Sequence, residues 1–378
     1  MLCALLALCA SDVHVSSVAE LTAAVAAAQP GTRILIAPGE YAGGLHFSNV
    51  HGEEDKLIEI IAADPANPPR FTGGGSAIQL SDISYVELRD LTVSHARDNG
   101  FNIDDGGTYD TPSHHVNLIN LRVSDLPEGN HDGIKLSGLD NFYVQNCTVE
   151  RWGGSAIDMV GCHRGVIQNS IFREGGSSGV QMKGGTSEVT VHGCRFEGYG
   201  ERAVNIGGST GMPYFRPPID QMPPDGKYEA GHITVEKCTF VGGTTPVAFV
   251  GSVDCVVRFN TIYHPERWAI RILQETTEKG FLACAGSEFT DNLVVFRSDQ
   301  WFSGGLNIGA NTAPATFRFA RNFWFCSDQP ARSKPALPTE EKDGIYGQDP
   351  LLSDPEKGDF SLKPGSPAAK FGTEGFPK

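Results

Sequence analysis

The chain has 378 residues, 45 of them glycine and 23 proline, with 40% hydrophobic and 20% charged residues. That mixture excludes a disordered chain and a coiled coil, because apolar material suffices for a long core and charge is too sparse for solvated helices. The net charge of −15 argues against general binding to nucleic acid or anionic lipid, so neither is an expected partner.

Residues 2–10 form a single apolar run, Leu-Cys-Ala-Leu-Leu-Ala-Leu-Cys-Ala, too short to span a bilayer. With Ala10 and Ser11 near a cleavage point, residues 1–11 read as the remnant of a signal peptide. A secreted or periplasmic protein is therefore expected. Cys9 stands where a lipoprotein anchor attaches, although Leu8 is larger than such signals use. Cys3 and Cys9 fall in this segment; the other seven cysteines are odd in number and scattered, which is no disulfide framework.

Ser17 and Glu20 have capping-box spacing and open a helix with Val18, Leu21, Val25 and Ala28 on one face. Pro30-Gly31 stops it, and Ile34, Leu35 and Ile36 begin a strand. The segment 17–30 suits the end cap of a repeat array, covering core that would otherwise be bare.

The repeats follow. Gly-Ile-Lys-Leu at 133–136 recurs as Ala-Ile-Asp-Met, Gly-Val-Gln-Met, Ala-Val-Asn-Ile, Pro-Val-Ala-Phe and Ala-Ile-Arg-Ile. Their first apolar positions are Ile134, Ile157, Val180, Val204, Val247 and Ile270, with gaps of 23, 23, 24, 43 and 23. Phe101 and Leu306 extend the series. A second motif in phase places Cys147, Ser170, Cys194, Cys238 and Asn260 at one turn position, with Asn292 and Asn322 beyond. Strands this short cannot each bury a face alone, but stacked coils can, pairing in parallel about 4.8 Å apart. The small residues then form an internal ladder, and the three cysteines are packing residues. One domain over 12–378 is expected, with coils over about 33–325 and an irregular C-terminal cap at 344–378. The 43-residue gap holds an inserted loop at 209–231, whose Tyr214 and Phe215 either pack on the barrel or offer stacking faces to a bound ring. A smaller insertion spans 104–115 on the same edge.

Alternation makes the remaining strand positions face solvent. They are Asn102 and Asp104, Lys135 and Ser137, Asp158 and Val160, Gln181 and Lys183, Asn205 and Gly207, then Ala248, Arg271 and their neighbours. Lys135 and Asp158 stand side by side, which reads as a surface ion pair. Asp104, Asp105 and Asp110 make an acidic loop; Asp104 and Asp105 are candidate Ca²⁺ ligands, without EF-hand spacing. No cofactor is required by the sequence. His131, His163 and His192 lack metal-ligand spacing.

These motifs resemble the pectin-lyase-like superfamily of right-handed parallel β-helices. The resemblance implies that the strand carrying Gly-Ile-Lys-Leu lines a substrate groove. Ser-Gly-Val-Gln-Met-Lys-Gly-Gly at 178–185 resembles the alginate lyase and chondroitinase B type of polysaccharide lyase, which implies Lys183 as the base. The chain departs from that pattern: Gly207 stands where the family has an arginine, and Gly176 and Ser178 where it has calcium ligands. Arg202 lies on the same coil, at a turn beside Glu201. β-Elimination from a uronate needs a base for the proton beside the carboxylate and a group that neutralises that carboxylate. The expected set is Lys183 with Arg202 and Asp158, supported by Lys135, Gln181, Asn205 and Arg271 on the substrate. An acidic polysaccharide is the expected partner, and a monomer the expected state. Two alternatives stay open. Asn130-His131-Asp132-Gly133-Ile134 resembles a polygalacturonase stretch, which makes a hydrolase using Asp158 with Asp132 or Asp104. The other is a non-catalytic carbohydrate-binding protein.

Overall fold

In each repeat the second and fourth motif positions are apolar, and in a strand those two point the same way. A computed structural model, which describes residues 11–377, places them inside a right-handed parallel β-helix of about 12 turns. The leader expected at 1–11, with Cys3 and Cys9, lies outside the described residues except for Ser11. Ser11–Val15 is a strand, paired with Thr32–Ile36. No helix among the described residues is long and apolar enough to cross a membrane.

The expected register is present rung by rung. Ile134 pairs with Ile157, Ile157 with Val180, Val180 with Val204, Val204 with Val247 and Val247 with Ile270. Phe101 and Leu306 join at either end. Ile78 pairs with Phe101 and Leu45 with Ile78, so the ladder begins two rungs before the motif noted in the sequence. A 12-stranded parallel sheet forms another face, through Val149, Phe172, Phe196 and Phe240.

The turn before that sheet is tight. Asn120, Asn146, Asn169 and Lys237 each take a positive φ, from 51° to 56°, where asparagine is among the tolerated side chains. The ladder residue follows directly and turns inward. Asn260 N–H donates to Asn292 Oδ1 at 2.9 Å, and Asn292 N–H to Asn322 Oδ1 at 2.9 Å. Glu341 closes this ladder, accepting from Asn322 Nδ2 at 2.7 Å and Trp324 Nε1 at 2.9 Å. Cys147, Cys194 and Cys238 are buried and unbridged. Burial pushes the Cys147 thiol up to about 12.

The helix at the N-terminal end runs Val18–Ala26 and buries Leu21 and Val25. Ser17 Oγ accepts from Glu20 N–H at 3.2 Å, and Glu20 Oε2 reaches back to Ser16 N–H at 2.7 Å. The C-terminal tail begins with Ile345–Tyr346, the last strand of the 12-stranded sheet, paired with Phe323 and Trp324; the rest of it leaves the end of the coil. It packs on the flank, with Leu352, Phe360 and Ala368 against Tyr263, Leu293, Val295 and Phe323.

Candidate active site

The outward column of the groove face is continuous. Lys135, Asp158, Gln181, Asn205, Ala248, Arg271 and Asn307 pair in that order on successive rungs. Lys183 lies two residues along its strand, paired with Val160. A Cβ added to Gly208 would stand 3.2 Å from Gln181 Nε2, 3.6 Å from Lys183 Cδ and 3.7 Å from Asn205 Nδ2. Those three side chains therefore converge on one point, and the bare glycine leaves room above it.

The charges of this column are not a surface pair. Asp158 is 2% exposed, with the ammonium groups of the two lysines at its carboxylate. Lys135 Nζ is in direct contact with Asp158 Oδ2 and 3.5 Å from Asp132 Oδ2. Lys183 Nζ stands off, 3.4 Å from Asp158 Oδ1, an oxygen that is buried and makes no hydrogen bond. Burial works against the Lys135 ammonium, but Asp158 and Asp132 outweigh it, and its pKa is raised. Lys135 is thus the fixed cation, and Lys183 the less engaged one. Asp132, expected at an inward or turn position, is a buried turn residue aimed at Lys135. Its Oδ1 accepts from Ser155 N–H at 2.8 Å. Burial first, then Asp158, raises the Asp132 carboxyl above its ordinary value.

The two insertions wall a cleft of about 630 Å³ above this cluster. Lys135, Ser137, Val160 and Lys183 line it together with Tyr109, Tyr214 and Arg216. Arg216 joins the loops: Nε donates to Asp105 Oδ2 at 2.5 Å and Nη2 to Asp105 Oδ1 at 3.0 Å, and its guanidinium carbon sits 4.2 Å from the Tyr109 ring centroid. The arginine lies in a trough of glycines. A Cβ on Gly138 would meet Arg216 Nε at 2.6 Å, and one on Gly161 would meet Arg216 Cβ at 2.4 Å. Glu229, fully buried, ties the longer loop down, accepting from Gly184 N–H at 2.9 Å, Thr210 Oγ1 at 2.7 Å and Thr276 Oγ1 at 2.5 Å. A larger hollow, about 740 Å³, lies on the 12-stranded sheet over Arg70, Thr92, Arg122 and Thr148; it shares no residue with the charged cluster.

Several expectations need correction. Phe215 is fully buried, edge-on to Phe281 at 5.5 Å, and offers no face to a sugar; Tyr214, 57% exposed, does line the cleft. Asp105 is committed to Arg216, and Asp104 accepts from Gln79 Nε2 at 3.0 Å and Gly106 N–H at 3.0 Å. No group of three or more His, Cys, Asp or Glu side chains gathers among the described residues. Asn205 is 2% exposed, not solvated: Arg202 Nη1 donates to its Oδ1 at 3.1 Å and its Nδ2 donates to Gly207 O at 3.3 Å. Arg202 opens the strand Arg202–Gly207 and pairs with Glu275 at 3.0 Å instead of with Glu201. Arg271 donates Nε to Asn307 Oδ1 at 3.0 Å. Gln181 is half-buried, its Oε1 accepting from Ser155 Oγ at 3.4 Å. Sequence reasoning missed Arg216 and Tyr109. A column of glycines one residue past the groove strand, Gly138, Gly161 and Gly184, was the available sign of a trough.

Comparison with known proteins agrees with this architecture. The family model of the right handed beta helix region matches residues 70–216. No curated protein sequence gives a significant match. An alginate lyase from Paenibacillus sp. str. FPU-7 is 16% identical with a TM-score of 0.53, over 80% of this chain and 99% of that one. A rhamnogalacturonan lyase is 16% identical with a TM-score of 0.55, over 81% and 82%. A PL6 family polysaccharide lyase from Pseudopedobacter saltans is 14% identical with a TM-score of 0.54, over 96% and 99%. The chain has the pectin-lyase-like right-handed β-helix fold.

Proposed function

We propose that this fold carries a carbohydrate-active enzyme, a lyase that cleaves an acidic, uronate-containing polysaccharide by β-elimination. The observation that carries the reading is the pair of lysines on buried Asp158 at the floor of the cleft, one fixed and one standing off. The three lyases that share the fold support it. An exported protein fits such a substrate.

Lys183 takes the proton beside the uronate carboxylate. The electron pair forms the new double bond, the glycosidic oxygen leaves, and solvent protonates it. The unpartnered Asp158 Oδ1 then faces the new ammonium at 3.4 Å. Lys135, held cationic, and the Gln181 amide face the substrate carboxylate, where an electrostatic partner lowers the barrier most. Asn205 and Arg202 act on the floor beneath, since both are already engaged.

Incubation with alginate, pectate and chondroitin, followed by the ultraviolet absorbance of an unsaturated uronate, tests the reading. Lys183→Ala loses about 10²–10⁴-fold in rate, the usual worth of a general base, with far-UV circular dichroism unchanged. Activity that survives this change removes Lys183 from the role. One observation favours hydrolysis instead: Asp132, its carboxyl raised, lies beside Asp158. New reducing ends without the absorbance gain would select that pair.

A further inference from the structure

A second group of cations stands on the same face, beyond the cleft. Arg271 follows Gln181, Asn205 and Ala248 in their column, three rungs on, or about 14 Å at the usual strand spacing. Arg267 and Arg271 both lie against Trp268, their guanidinium carbons 4.3 and 4.9 Å from its ring centroid. Arg267 is also 5.1 Å from the ring centroid of Phe302, which is 51% exposed.

Most arginines of this acidic chain are paired with a carboxylate. Arg267 and Arg271 form no salt bridge among the described residues; Glu275 nearby is taken by Arg202. Stacking on an aromatic face holds a guanidinium flat and leaves its N–H edge outward, in the fork that matches a carboxylate or another planar oxyanion. Trp268 Nε1 is buried with no partner, so the ring is held by packing and not by a hydrogen bond of its own. An exposed aromatic beside the fork suits the apolar face of a sugar ring.

We propose that Arg267 and Arg271, braced on Trp268, form a distal subsite that grips an oxyanion of the glycan chain, with Phe302 against the sugar ring. The subsite rests on the acidic-polysaccharide reading and extends it beyond the reacting unit. It selects for chains long enough to reach from Lys183 to Arg271.

Native affinity electrophoresis tests it, in gels containing alginate, chondroitin sulfate or neutral dextran. Arg267→Gln and Phe302→Ala change exposed side chains, and a thermal melt checks that both variants fold. The wild type is retarded by the acidic gels and not by dextran, and each variant raises the apparent dissociation constant roughly tenfold, the worth of one good polar contact. A larger loss in alginate identifies a carboxylate as the oxyanion; a larger loss in chondroitin sulfate identifies a sulfate. Retarded wild type with unchanged variants overturns the subsite and leaves the substrate reading standing. Unretarded wild type in every acidic gel overturns both.

Discussion

Replacing Asp158 by Asn keeps the shape of the floor and removes the one charge both lysines share. Asp158 is 2% exposed, while the Lys135 and Lys183 side chains are 23% and 19% exposed. Breaking a buried ion pair by removing one partner costs about 3–5 kcal/mol. Both lysines retain some access to water, and Lys135 keeps Asp132 at 3.5 Å, so the low end applies, about 3 kcal/mol. At about 2.1 cal/mol/K per residue the chain unfolds with roughly 0.8 kcal/mol/K of entropy, taken as one cooperative unit, so the melting temperature falls by about 4 °C. Differential scanning calorimetry reads this directly. An Asp158→Asn protein that melts within about 1 °C of the wild type would show that Asp158 does not hold these cations, and the floor described above would be wrong.

Other outcomes follow from the same contacts. Arg216→Ala strands Asp105 in the interior and frees the longer loop, so limited proteolysis within residues 217–227 accelerates, read by mass spectrometry. Asp132 has a folded carboxyl raised above the unfolded value of about 3.9, so its contribution to stability is full below that pH and is lost as pH rises through the raised value. Asp132→Asn flattens that fall in a series of melts across acid pH. Asn292→Ala removes the acceptor of Asn260 N–H and the donor to Val257 O, both buried, for a loss of about 3 kcal/mol and about 4 °C.

The coils were legible because each rung repeats the same letters, and a parallel sheet turns repetition into stacking. Lys135, Asp158, Gln181 and Asn205 follow from counting alone. Ala77-Ile78-Gln79-Leu80 fits the same motif and was overlooked, although it stands 23 residues before Phe101. What counting could not give is depth. Asp158 stands in the outward column as expected, but it is 2% exposed with two lysine ammonium groups at its carboxylate, and where a long side chain places its end has no period. Loop contacts are equally opaque: Asp105 and Arg216 are 111 residues apart, and no repeat relates them. Phe215 and Tyr214 are neighbours in one loop, yet one is sealed and the other open, because Phe215 packs on Phe281, a residue outside the loop that no repeat relates to it.

The latch between the two insertions also constrains how such a protein can change. Away from the Lys135–Asp158–Lys183 cluster, a rung such as that of Ala248 can change its outward letter by a single codon, with no paired charge on the next rung to match. The roof has no such independence. A new partner for Arg216 must arrive with a new residue at Asp105, and the smooth glycine bed beneath must stay bare while it does. Diversification of such rungs can proceed piecemeal, whereas the roof must drift as a matched couple.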